Sequence, residues 1–272
     1  VDVPSELREA VERHARATRT SVDAVVESAL AAFLGDAGHT AFQVSTTGAL
    51  VEGVYAGAAE VGHLRVHGDF GLGTFEGLDG ELVALDGRFF QVRADASVHE
   101  VDDAARTPFA VVTRFAAQRE DTLPSGASLT DVALAIDALR DSDNLFFAVR
   151  VDGRFGSLTL RAACRVPEGT PLAVATTEQS EWVVDDVTGT MVGFWSPTYS
   201  GRFDVPGYHL HFLDDARTRG GHVLGCTVHQ VTVGLQRLDR LEVELPETVS
   251  FLRADLSADP AADLDRAEHD PR

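Results

Sequence analysis

At 272 residues with 44% apolar content, the chain is long enough for one or two folded domains with a buried core. Its formal net charge is −20 and all 23 basic residues are arginine, so it repels phosphate backbones overall, which argues against nucleic acid as its main ligand. No apolar run approaches the ~20 residues of a membrane-spanning helix, the N-terminal stretch alternates charged and apolar residues where a secretory signal needs a continuous apolar core, and Cys164 and Cys226 lack CxxC spacing; the expectation is a cytoplasmic protein with no membrane partner and no disulfide framework.

Residues 1–36 read as helical. Pro4-Ser5 opens a run that places Leu7, Ala10, Val11 and Ala15 on one face. Ser21 is placed to cap a second helix carrying Val22, Val25, Val26, Ala29, Leu30, Phe33 and Leu34, which Gly35 stops. Residues 36–40 form a linker. From 41 to about 250 the pattern is mostly strand-like. Asp79-Gly80, Asp86-Gly87 and Asp152-Gly153 each lie between apolar or alternating runs, the strongest short-range hairpin signal. Candidate strands cover 81–85, 89–93, 109–115, 145–151, 190–195, 208–213 and 223–233, and one helix interrupts them at 129–139 with Thr130 as candidate cap. That helix bisects the strand-rich region, so two sheet-containing halves are expected, 41–142 and 143–253. In the acidic stretch 254–272 the only large apolar side chains are Leu256 and Leu264, and composition alone assigns it to a disordered tail.

The sharpest local feature is Gly207-Tyr-His-Leu-His-Phe212 followed by Gly220-Gly-His222. On a strand, residues i and i+2 share a face, so His209 and His211 project together while Leu210 and Phe212 face the core. The turn formers and charges of 214–221 can reverse the chain, and a return strand from Gly220-Gly221 brings His222 beside the pair. Three neutral imidazoles suit zinc and leave a fourth position open for water or substrate; iron, copper or nickel also accept three histidines. His14, His39, His63, His67, His99, His229 and His269 have no comparable spacing and read as surface or core histidines. The Gly-rich run 68–81 lacks the Gly-Lys-Ser/Thr ending of a phosphate loop, so its glycines are read as permitting turns or close backbone approach. Taken alone, Glu81 reads as a solvated carboxylate at a strand start and Arg161 as a surface arginine or salt-bridge partner on an alternating strand.

GDFGLGTFEGLDGE (68–81), TPFAVVTRF (107–115), LFFAVRVDGRF (145–155), GTMVGFWSP (189–197), VPGYHLHFLDD (205–215) and GGHVL (220–224) together resemble the acetolactate decarboxylase family, in its order and near its spacing, over about residues 42–268. The resemblance implies an α/β (α+β) fold of two mixed-sheet domains with few helices, preceded here by a short helical N-terminal segment. It also implies a homodimer and one Zn2+ per subunit. By matching positions the metal ligands are His209, His211 and His222, the active-site arginine is Arg161, one catalytic glutamate is Glu81, and Thr74 lines the pocket. Counting from Leu245-Pro246, a second glutamate falls on Glu268, so the resemblance has residues 254–272 fold back to the active site, against the reading from composition. Residues 1–36 resemble instead a ribbon-helix-helix segment; with three residues before Pro4 and seven acids against four arginines they suit dimerisation and not DNA reading.

The implied reaction is loss of CO2 from 2-acetolactate, a 2-hydroxy-3-keto acid, to give (R)-acetoin. The adjacent ketone is the electron sink, a Lewis acid on the hydroxyl and carbonyl oxygens stabilises the enediolate, Arg161 orients the anion against the protein's own charge, and Glu81 or Glu268 protonates the enediolate carbon. The competing readings are a cupin-like metal-dependent oxygenase or isomerase, and a DNA-binding regulator with a degenerate sensory domain.

Overall fold

The computed structural model describes residues 3–18, 22, 25, 26, 30, 39–261, 263 and 264. In chain order the strands are β1 (Thr40–Val44), β2 (Ala59–Glu60), β3 (Phe70–Thr74), β4 (Glu81–Leu85), β5 (Arg88–Val92), β6 (Val98–Glu100) and β7 (Arg106–Thr107). They continue as β8 (Ala110–Thr113), β9 (Arg119–Leu123), β10 (Phe146–Ala162), β11 (Ser180–Ser196), β12 (Gly207–Asp214), β13 (Gly220–Leu238) and β14 (Arg240–Glu244). Short helices at Thr47–Val51, Val61–His67, Leu129–Leu139, Leu172–Ala175 and Val249–Arg253 lie between and after them. Sheets with few helices are the α+β organisation expected from the sequence.

Seven strands form one sheet in the order β14-β1-β8-β3-β4-β5-β6, antiparallel except for the β1–β14 pair. In β4 the alternation sends Val83 and Leu85 to the cluster between the two large sheets, and Leu82 and Ala84 to a cluster on the opposite face with Leu64. Burial on both faces is why this strand reads as a nearly unbroken apolar run. In the second sheet β10 pairs with both β11 and β13, and β12 bridges β11 to β13, so four strands close on themselves while β9 extends β13. Irregular register along β10–β13 at Arg154, Phe155 and Thr159 lets these long strands bend into closure. The enclosed core holds Phe147, Phe155, Met191, Leu210 and Phe212, and the helix Leu129–Leu139 seats Val132 and Ile136 on it.

Several local expectations need correction. Asp86-Gly87 is a two-residue hairpin turn with both φ values positive, 53° and 75°, as a type I′ turn requires. Asp152-Gly153 is not a turn: it lies inside β10, paired on both sides. Gly153, at φ 150°, is there because a Cβ would come 2.2 Å from the Gln230 carbonyl oxygen, a close approach of two backbones. Asp79-Gly80 closes a longer loop between β3 and β4. The helix cap is Ser128, not Thr130: its hydroxyl accepts from the Asp131 N–H, and Asp131 accepts in return from the Ser128 N–H at 2.8 Å.

The change of sheet does not coincide with residue 142. The chain enters the second sheet at β9, before that point, and returns to the first at β14. At the N-terminus, residues Ser5–Thr18 form the first expected helix, with Ala15 buried and Leu7 56% exposed. Most of the second expected helix, and with it the second half of the ribbon-helix-helix-like pattern, lies outside the described residues. Among the described residues no helix is long and apolar enough to cross a membrane.

Candidate metal centre

The register of three neighbouring strands builds the site. On β13, His222 stands opposite His211 of β12 and, on its other side, opposite Arg161 of β10. Directly opposed residues share a face, so the three side chains rise together, with His209 two residues along on the same face of β12. Leu210 and Phe212 point the other way, into the core of the second sheet. Gly221 makes this crowding possible. Its φ is 142°, and a Cβ would sit 2.8 Å from the Arg161 carbonyl oxygen; no other residue type leaves room for β13 between β10 and β12 at this point.

His209, His211 and His222 are buried, and one ligand nitrogen from each lies within 4.8 Å of the others. The Nε2 atoms of His209 and His211 are 3.2 Å apart, close to the roughly 3.3 Å that separates two ligands held ~2.05 Å from a tetrahedral zinc. His211 Nδ1 is 2.8 Å from the Leu82 carbonyl oxygen on β4. A carbonyl can only accept, so Nδ1 carries the proton and Nε2 keeps its lone pair toward the cluster, the outer hydrogen bond that orients a metal-binding imidazole. The donor set and its spacing therefore fit a metal ion.

Around the imidazoles stand two charged side chains and an apolar wall. Glu81 Oε2 is 3.5 Å from His211 Nε2, while its Oε1 accepts from the Ala163 N–H at 3.0 Å, so the residue that follows β10 fixes the carboxylate. Arg161 is 6% exposed, and its Nη2 lies 3.2 Å from His222 Nε2, which puts a guanidinium at the border of the space the nitrogens enclose. Thr74, opposite Glu81 in the β3–β4 pair, donates its hydroxyl to the Gly80 carbonyl at 2.7 Å, which fixes its rotamer at the cavity edge. The cavity is closed by Leu50, Phe109, Leu172, Val205 and Leu264. The structure thus brings Thr74, Glu81, Arg161 and the three histidines together; Glu268 lies outside the described residues.

Sequence reasoning missed the Leu82 carbonyl and the Ala163 N–H, because backbone groups that any residue supplies leave no trace in composition. It also missed Val205, whose role needs the loop after β11 to be folded. Leu264 did carry a signal, as one of the two large apolar residues of an acidic segment.

A buried three-histidine cluster with charged side chains at its border could hold a metal ion and is consistent with a metal-dependent enzyme. The family described as alpha-acetolactate decarboxylase matches residues 41–258. Among proteins of that name, one from Methylococcus capsulatus is 41% identical over 237 residues, covering 87% of this chain and 91% of its own. Another from Methanosarcina mazei is 38% identical over 244 residues, covering 89% and 85%. The crystal structure of alpha-acetolactate decarboxylase from Bacillus subtilis strain 168 superposes with a TM-score of 0.82 at 35% identity, over 85% of this chain and 100% of that one. The chain belongs to the alpha-acetolactate decarboxylase family. The cupin-like and DNA-regulator readings give way to this assignment.

Proposed function

We propose that the protein decarboxylates 2-acetolactate to (R)-acetoin and CO2, with Zn2+ as the metal held by His209, His211 and His222. The observation that carries the reading is the convergence of those imidazoles beside the buried guanidinium of Arg161 and the tethered carboxylate of Glu81. When bound, the ion supplies Lewis acidity toward the hydroxyl and ketone oxygens of the substrate. Arg161 holds an anionic oxygen of the substrate by a planar two-pronged contact and offsets the repulsion from a chain of net charge −20. Glu81 has one oxygen occupied by the Ala163 N–H and the other facing the cluster, so Oε2 is the atom that holds and delivers the proton to the enediolate carbon. Glu268 is the second candidate for that step, delivered by the C-terminal segment. Thr74 and the apolar wall exclude water from the reacting carbons.

A homodimer is part of the proposal, with residues 1–36 as a ribbon-helix-helix-like dimerisation segment; the exposed apolar side chains Leu7, Val22, Val26 and Leu30 support it. Cytoplasmic residence is part of the same proposal. The test is incubation of the zinc-loaded protein with racemic acetolactate. Acetoin and CO2 in equal amounts are expected, and no CO2 above the uncatalysed rate would overturn the assignment. Light scattering tests the dimer.

A further inference from the structure

The site cavity is narrow, about 60 Å³, and a second cavity of about 490 Å³ lies against it. The second is lined by the loop after β11 and by the C-terminal segment, Tyr199, Arg202 and Asp259 among them. Among the described residues Val205 and Leu264 alone line both cavities, and they are 3% and 2% exposed. They are therefore a partition one side chain thick. By contrast Leu50 and Leu172, on the same apolar side of the site, line the site cavity and not the second one.

The partition is held in place from both ends. The buried Asp204 accepts from the Val205 N–H at 2.8 Å and from the Ser196 hydroxyl at 2.5 Å, and the Thr47 hydroxyl donates to the Asp204 carbonyl. On the other side, the Leu264 N–H donates to the Pro260 carbonyl at 2.9 Å, and the Pro260 ring sits by Gly48 on the helix Thr47–Val51. An apolar side chain locked by its backbone is a rigid limit on size.

We infer that Val205 and Leu264 set the alkyl size limit of the substrate. This rests on the proposed function: an acid that turns its charged and hydroxyl oxygens to the histidines and Arg161 leaves its alkyl substituents to the apolar side. Trimming either residue joins the site to the larger cavity, whereas trimming Leu172, which does not border that cavity, leaves the partition intact. The partition thus determines which 2-hydroxy-3-keto acids are accepted, independently of the groups that carry out the chemistry.

The test compares wild type with Leu264→Ala, Val205→Ala and Leu172→Ala, all zinc-loaded. Binding of two dihydroxy acids, the reduced forms of the 2-methyl and 2-propyl substrates, is measured by calorimetry, and kcat/KM is measured for the keto acids. Leu264→Ala is expected to raise the propyl-to-methyl preference about 10-fold or more, on the scale of one or two methylenes in an apolar pocket. Val205→Ala is expected to raise it several-fold and Leu172→Ala to leave it near wild type. Val205 lies outside the C-terminal segment, so its variant reads the partition even if Leu264→Ala releases that segment. A wild-type preference in both partition variants, or an equal rise in all three, would overturn the inference. Because the dihydroxy acids bind without reacting, the size preference is read even if the wild type fails to release CO2, an outcome that would count against the decarboxylase reading alone.

Discussion

Residues 207–222 and residues 254–264 reach the same cavity, the first through His209 and His222, the second through Leu264. The hairpin announces its purpose locally. Its alternation, its three glycines and its three histidines lie within sixteen positions, and the face each side chain takes follows from strand periodicity. The C-terminal segment announces the reverse. Its composition is that of a solvated acidic chain, yet Pro260 is buried and Leu264 is part of the core between the sheets. Burying one leucine contributes roughly 1.5–3 kcal/mol, against roughly 1–2 kcal/mol to order the backbone of each residue. A segment with so few anchors docks because a cleft already shaped by other strands receives them. Average composition reports the many solvated residues and hides the two that dock.

The largest effect is expected at the hairpin. His209→Ala, His211→Ala and His222→Ala each should lose the metal and essentially all activity while circular dichroism stays near wild type, since a structural metal is not needed to hold strands that are paired throughout. Full zinc occupancy by elemental analysis in any one variant removes that residue from the ligand set. Next, Arg161→Lys should lower kcat by about 100-fold, the scale of losing a preorganised donor at developing charge. A lysine retains the charge but not the fork, and wild-type turnover would show that the guanidinium has no role beyond neutralisation.

Two further variants sharpen the contrast from the other side. Glu268→Gln should reduce turnover on the order of 100-fold if the C-terminal segment carries the general acid, and truncation after Ala258 should do at least as much while zinc content is unchanged. Normal turnover in both would assign the proton to Glu81 or to water and leave the segment as a wall alone. Deleting residues 1–36 should have the smallest effect on chemistry, less than about twofold in kcat/KM, because none of the described residues of that stretch lines the cavity; light scattering of the same variant reads its part in assembly.

The strands at 81–85 and 208–213 and the helix at 129–139 were legible in the sequence because each is defined by periodicity over a few residues. The convergence of the three histidines was legible for the same reason, and family resemblance added Arg161, Glu81 and Thr74, which the structure places beside them. The errors lie where two distant segments meet. Asp152-Gly153 looks like a turn because the dipeptide tolerates one, but β13 presses against Gly153 and forbids any side chain there. The paired strands β1 and β14 are nearly 200 residues apart, a partnership no local window contains.

The sequence by itself determined which side chains could hold a metal and which way they point along a strand, because residue chemistry and a two-residue period act within one element. Tertiary structure decided the rest. It placed Arg161 beside His222 through strand register, tied His211 to a carbonyl of the opposite sheet and Glu81 to the N–H of the residue after β10, and put Leu264 between two cavities. These arrangements depend on distances between elements far apart in the chain, and such distances are set only when the closed sheet and the seven-stranded sheet pack together.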